Sequence, residues 1–162
     1  MASARSPWVL LAFRIPREPS TPRIATWRKL RRVGAIQVLD GLVALPADRR
    51  NREQLEWIAQ DIRDAGGEAT IWTAQTSTAE EESTLIERMR SAVAGEYARI
   101  ITEAETAAIQ PPGRRRRSLA RLRREIHRVR DRDYFPPPER ETAQQAVDAL
   151  GISLEQEPSR RM

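Results

Sequence analysis

Ala35-Ile36-Gln37-Val38-Leu39-Asp40-Gly41-Leu42-Val43-Ala44-Leu45-Pro46 is a pair of short apolar runs joined by Asp-Gly. That junction is a strong hairpin signal, because glycine supplies the left-handed backbone a tight turn needs. A strand and a helix precede the hairpin. Trp8-Val9-Leu10-Leu11-Ala12-Phe13 is a buried-strand run between Pro7 and Pro16. Ser20-Thr21-Pro22 then offers an N-cap and a proline at the first helical position. Ile24, Trp27, Leu30 and Val33 follow at helical spacing, with Gly34 as the stop. A helix and a strand follow the hairpin. Leu55, Ile58 and Ile62 share one face of a helix from about Asn51, Gly66-Gly67 ends it, and Glu68 to Thr73 forms a strand.

The order strand, helix, strand, strand, helix, strand predicts an α+β fold with a ferredoxin-like βαββαβ sheet, spatial order 4-1-3-2. The continuously apolar first and third strands are expected at its centre. Both helices would cover one face, leaving the other for the C-terminal half or a second subunit. That half reads as a helical extension. Ser77-Thr78-Ala79-Glu80 is a capping-box pattern, and Leu85, Met89, Val93, Tyr97, Ile100 and Ala104 form an apolar stripe, with Gly95 its weakest point. Pro111-Pro112-Gly113 breaks the chain before a basic helix with Leu119, Leu122, Ile126 and Val129 on its seam. A last helix spans Glu139 to Leu150. The expected organisation is one unit over residues 1–157, with a core at 7–76, an extension at 77–157 and a tail at 158–162.

The 162 residues contain no cysteine and one histidine, His127, which removes thiol chemistry, Cys-ligated metals and His-based triads within one chain. No enzyme and no cofactor are expected. The longest apolar run, Trp8 to Phe13, is far short of the roughly 20 residues a membrane helix needs. No secretory signal pattern opens the chain, so a cytoplasmic protein is expected.

Charge is the informative feature. The net of +5 hides a segregation: residues 1–34 carry eight bases and one acid, residues 114–132 carry ten bases and two acids, and the remainder is acidic. Only Lys29 among the 28 bases is not arginine. Two arginine blocks in an otherwise acidic chain point to a polyanion, since guanidinium forks match phosphate oxygens. The candidate nucleic-acid contacts are Arg28, Lys29, Arg31 and Arg32 on the first helix and Arg115, Arg116, Arg121, Arg123, Arg124 and Arg128 on the basic one. The competing reading pairs that basic helix with Glu80, Glu81, Glu82, Glu103 and Glu105. Arg14, Arg17, Ser20, Thr21 and Arg23 surround a helix start and form a candidate oxyanion site, ordinary capping being the alternative. Trp8, Trp27 and Trp72 are expected to pack, Trp57 falls off its helix's apolar face, and His127 is expected to be structural.

Several ordered stretches resemble the N-terminal domain of ChrB-type chromate-resistance regulators. They are Trp8-Val9-Leu10-Leu11, Pro16-Arg17-Glu18-Pro19-Ser20, Trp27 to Ala35, Leu39-Asp40-Gly41, Ala65-Gly66-Gly67-Glu68-Ala69 and Arg132-Asp133-Tyr134-Phe135 followed by Glu139 to Leu150. The resemblance implies a cytoplasmic, DNA-binding, transcription-associated protein with a core related to the Cas2-like domain of PaaX-type regulators. Chromate is then the implied oxyanion effector and a homodimer the expected assembly. Cas2-type nucleases place an aspartate at the end of the first strand to bind metal, whereas this sequence has Arg14 there. Full-length members continue into a second domain that this sequence does not reach. The alternative reading is therefore a dimerisation or scaffold module that partners a separate C-terminal-type protein.

Overall fold

The computed structural model describes residues 5–157, so the expected tail at 158–162 lies outside the described residues. The elements are β1 (Trp8–Arg14), α1 (Thr21–Val33), β2 (Ile36–Leu39), β3 (Leu42–Pro46), α2 (Arg49–Asp64), β4 (Glu68–Ala74), α3 (Ala79–Ala108), α4 (Pro112–Asp131) and α5 (Glu139–Glu155). The protein is α+β, with one four-stranded antiparallel sheet and a helical C-terminal half. Two compact units divide the chain, Met1–Met89 and Arg90–Met162, and α3 contributes to both.

In the first unit the strand order is β2-β3-β1-β4. Val9 pairs with Leu45 and Thr73, and Leu11 with Val43 and Ile71, so these residues share one face. Val9, Leu11, Val43 and Leu45 are fully buried there, each contributing about 1.5–3 kcal/mol through removal of apolar surface from water. α1 and α2 lie on that face: Phe13 meets Trp27 edge-on at 5.7 Å, and Arg52 of α2 donates to the Thr73 hydroxyl. Asp48 caps α2 by accepting from the Asn51 N–H at 2.6 Å, while the buried Asn51 amide donates to the Pro46 carbonyl at 2.8 Å. The hairpin forms where Asp-Gly predicts it. Gly41 takes φ 73°, and its carbonyl accepts from the Phe13 N–H at 2.8 Å.

Local departures from the sequence reading have packing causes. Thr26 and Leu30 are the buried stripe of α1, which leaves Ile24 half exposed. Ser20 makes no side-chain cap, and the reciprocal capping box is one residue later than expected, between Thr78 and Glu81. Trp72 is 56% exposed rather than packed, because β4 is an edge strand and residue 72 shares the face of Leu10, away from Thr73 and α2. Trp8 and Ala44 are nevertheless buried on that second face. The start of α3 supplies cover: Met89 is buried, Glu82 accepts from the Ser6 N–H, and Arg88 donates to the Gln37 carbonyl of β2. Gly67 is a point of close backbone approach, since a Cβ there would lie 2.5 Å from the Arg14 carbonyl oxygen and 2.8 Å from Ile62 Cγ2. Gly67→Ala is therefore expected to cost about 2 kcal/mol by overpacking, measured as a lower urea midpoint of tryptophan fluorescence.

The second unit is built on Val93, Tyr97, Ile100, Ala104 and Ala107 of α3, Leu119, Leu122, Ile126 and Val129 of α4, and Ala143, Val147 and Leu150 of α5. These positions recur every three to four residues, so each helix turns one continuous stripe inward. The α3 helix runs through Gly95 without a break, and α5 extends to Glu155, beyond the expected Leu150.

Candidate nucleic-acid interface and anion pockets

The sequence of α4 fixes which arginines face outward. Its seam of Leu119, Leu122, Ile126 and Val129 is buried. Positions seven and four residues apart on the opposite side carry Arg117, Arg124 and Arg128, spaced roughly 10 and 6 Å along the axis. Arg114, Arg116 and Arg123 flank that line, and all six side chains are exposed. None of the six has an ion pair or side-chain hydrogen bond among the described residues. The α4 segment holds nine arginines against Glu125 and Asp131, so its outer surface is strongly positive.

Two expected contacts on α4 do not belong to that surface. Arg115 is 8% exposed, because it lies four residues before Leu119 and so falls on the seam; its guanidinium pairs with Glu157. Arg121 turns towards α3 and pairs with Glu103 at 2.6 Å and Glu125 at 3.4 Å. The α3-facing edge is thus neutralised, with Arg99 on Glu125 at 3.3 Å as a further pair. Of the acids in the competing reading, Glu103 pairs with α4 through Arg121, while Glu80, Glu81, Glu82 and Glu105 form no ion pair with α4 among the described residues. Arg114 and Arg117, which the sequence reading did not single out, are exposed and line a pocket of about 450 Å³ with Glu103, Thr106, Gln110 and Arg121; the signal was their angular position away from the seam. His127 is largely exposed, 3.8 Å from Asp131, and takes no part in the core.

The first helix presents a second set. Arg28, Arg31 and Arg32 are exposed, whereas Lys29 is held by Asp61 of α2 at 2.5 Å. Ser20, Arg23, Ile24, Trp27, Arg28 and Arg31 line a pocket of about 410 Å³. A second pocket of about 270 Å³ is lined by Phe13, Ile15, Arg17, Arg23, Trp27, Asp40 and Gly41. Arg23 and Trp27 belong to both. Of the expected oxyanion set, the structure therefore brings together Arg17, Arg23 and Ser20. Thr21 is exposed and lines neither pocket. Arg14 is drawn off to Glu68 at 2.9 Å, its register partner on β4. Sequence reasoning missed Asp40 as a pocket residue, having assigned it to the turn alone. Gln37 donates to it at 3.3 Å, and the hairpin turn holds it beside Arg17.

Among the described residues, no three His, Asp or Glu side chains converge as a metal site requires. No described helix is long and apolar enough to cross a membrane.

Comparison with known proteins bears on the whole arrangement. Protein ChrB of Cupriavidus metallidurans (strain CH34) is 27% identical over 139 residues, covering 83% of this chain and 42% of that protein. The chain thus spans about two fifths of the length of that curated relative. No solved structure gives a significant match. The sequence model described as Protein ChrB, N-terminal, matches residues 23–109, more than half of the chain, from the exposed face of α1 to the end of α3; the chain belongs to the ChrB N-terminal family.

Proposed function

We propose that this chain is a non-enzymatic, DNA-binding regulator or regulator subunit of chromate resistance, working in the cytoplasm as a homodimer. The observation that carries the reading is the outer face of α4, where Arg114, Arg116, Arg117, Arg123, Arg124 and Arg128 are exposed and form no ion pair among the described residues. Uncompensated guanidinium groups in a row repel one another, and a phosphate backbone relieves that repulsion while releasing its condensed counterions. Membership of the ChrB family connects the protein to chromate resistance. The β2-β3-β1-β4 order supports a ferredoxin-like, Cas2-like core. In that comparison the end of β1 carries Arg14 bound to Glu68 rather than a metal-binding acid. The exposed Trp72 and Leu39 favour self-association or a scaffold role as the second reading.

The test is a titration against a labelled fragment of the chain's own upstream DNA and an unrelated fragment, at 50 and 200 mM salt, with and without chromate. Tight binding to the upstream fragment, weakening at least about 100-fold across that salt range and released by chromate, is the expected result. Absence of binding to either fragment at 50 mM salt would overturn the DNA reading in favour of the scaffold.

A further inference from the structure

The two pockets beside α1 have a composition that a bare oxyanion does not explain. A dianion in the smaller pocket would meet Arg17 and Arg23 but also the Asp40 carboxylate, and like charges at short range oppose each other. The larger pocket adds Ile24 and the Trp27 indole to Arg23, Arg28 and Arg31, so much of its wall is apolar. Trp27 lines both pockets and is held by its T-shaped contact with Phe13. The Gly41 wall of the smaller pocket is fixed as well. Gly41 has φ 73°, a Cβ there would meet the Phe13 carbonyl oxygen at 2.5 Å, and its own carbonyl is bonded to the Phe13 N–H.

A ligand satisfying these walls carries a flat ring for Trp27, a negative charge for the shared Arg23, and hydrogen-bond donors for Asp40. We propose that the pockets on either side of Trp27 form one nucleotide site, with a nucleobase against Trp27 and Ile24, its phosphate on the arginines and its sugar hydroxyls on Asp40. Stacking on tryptophan is tolerant of base identity, and a carboxylate accepting from ribose hydroxyls is a recurrent solution in nucleotide sites. The same chemistry is offered by a free ribonucleotide and by an unpaired ribonucleotide in an RNA strand, whose 2′-hydroxyl stays free to donate to Asp40. The proposal is independent of duplex binding by α4, since none of its residues lies on that helix.

Calorimetric titration of the full chain with AMP, adenosine, inorganic phosphate and the hexaribonucleotide (rA)6 tests it. AMP is expected to bind with a Kd below about 1 mM, with adenosine and phosphate each at least about tenfold weaker because each fills one part of the site. Trp27→Leu and Arg23→Gln should each weaken AMP about tenfold or more, and Trp27→Phe should restore part of the loss by keeping an aromatic face. Arg23 is exposed, so its variant reports on binding even where Trp27→Leu unfolds the sheet unit. Binding of (rA)6 at least about tenfold tighter than AMP, with a steep salt dependence, assigns the site to RNA strands; equal or weaker binding assigns it to the free nucleotide. Phosphate binding as tightly as AMP, unaltered AMP affinity in Arg23→Gln, or no binding of either AMP or (rA)6 would overturn the proposal. Charge reversal on α4 should leave AMP affinity unchanged, which separates failure here from failure of the duplex reading.

Discussion

Replacing Arg117, Arg124 and Arg128 together by glutamate is expected to weaken duplex DNA binding by at least about 100-fold at 50 mM salt. The reason is geometric. These three residues form the centre line of the α4 face opposite the buried seam, and each phosphate contact contributes about 0.9 to the slope of log affinity against log salt. Loss of three contacts should therefore flatten that slope by about 2.7, a signature that a folding defect would not produce. The fold should survive, because the three side chains are exposed and make no ion pair among the described residues. Two controls define the mechanism. The corresponding lysine variant should keep most of the slope, since it retains the charges while losing the guanidinium fork. Arg121→Ala should change affinity by no more than about twofold, because that guanidinium is already neutralised by Glu103 and Glu125. An unchanged slope in the triple glutamate variant would remove α4 from DNA recognition.

The contrast between Arg117 and Arg121 marks what a sequence can disclose. The α4 seam was legible because Leu119, Leu122, Ile126 and Val129 repeat at a spacing that only one helix face satisfies. The same spacing places residue 115 on that seam, but the residue type argued the other way. An arginine is rarely buried without a carboxylate, and the carboxylate of Glu157 lies forty-two positions away. Lys29 and Arg14 were obscured for the same reason. Their partners, Asp61 and Glu68, are brought within reach by helix and strand packing rather than by local sequence. Glycine and proline were read more securely, since their meaning is local. Gly34 ends α1 in the left-handed region, Gly41 turns the hairpin, and Pro22 opens α1. The nucleotide site was half legible: the arginines near residue 20 were visible as a cluster, but Asp40 and Trp27 joined them only when the hairpin closed onto the end of β1.

The closing Arg132-Asp133-Tyr134-Phe135 pattern acquires a physical role that predicts the largest stability effect. The Asp133 side chain is fully buried; its Oδ2 accepts from the Tyr97 hydroxyl at 2.8 Å and lies 3.6 Å from the Arg140 guanidinium. Its neighbour Arg132 pairs with Glu96 at 2.5 Å. The segment after α4 is thereby clasped to α3 and α5. Asp133→Ala would strand a buried hydroxyl and a half-buried guanidinium, costing about 3 kcal/mol. Amide exchange in α4 and α5 should then rise by roughly 100-fold. Asp133→Asn keeps an acceptor and should lose about 1 kcal/mol. All four tryptophans lie in the sheet unit, so exchange within residues 90–157, rather than tryptophan fluorescence, is the readout. Alkaline pH supplies an independent check. Burial, followed by the hydrogen bond to Asp133 and its negative charge, raises the Tyr97 pKa well above its ordinary value. The unfolded chain releases that proton near pH 10 while the folded chain holds it, so this contribution is complete below about pH 10 and declines as pH rises further. Tyr97→Phe has no such proton to retain. Its stability deficit relative to the parent should therefore narrow between pH 9 and pH 11. A deficit that stays constant across that interval, or an Asp133→Ala variant whose amides exchange at the parent's rate, would show that the clasp does not hold the helical unit together.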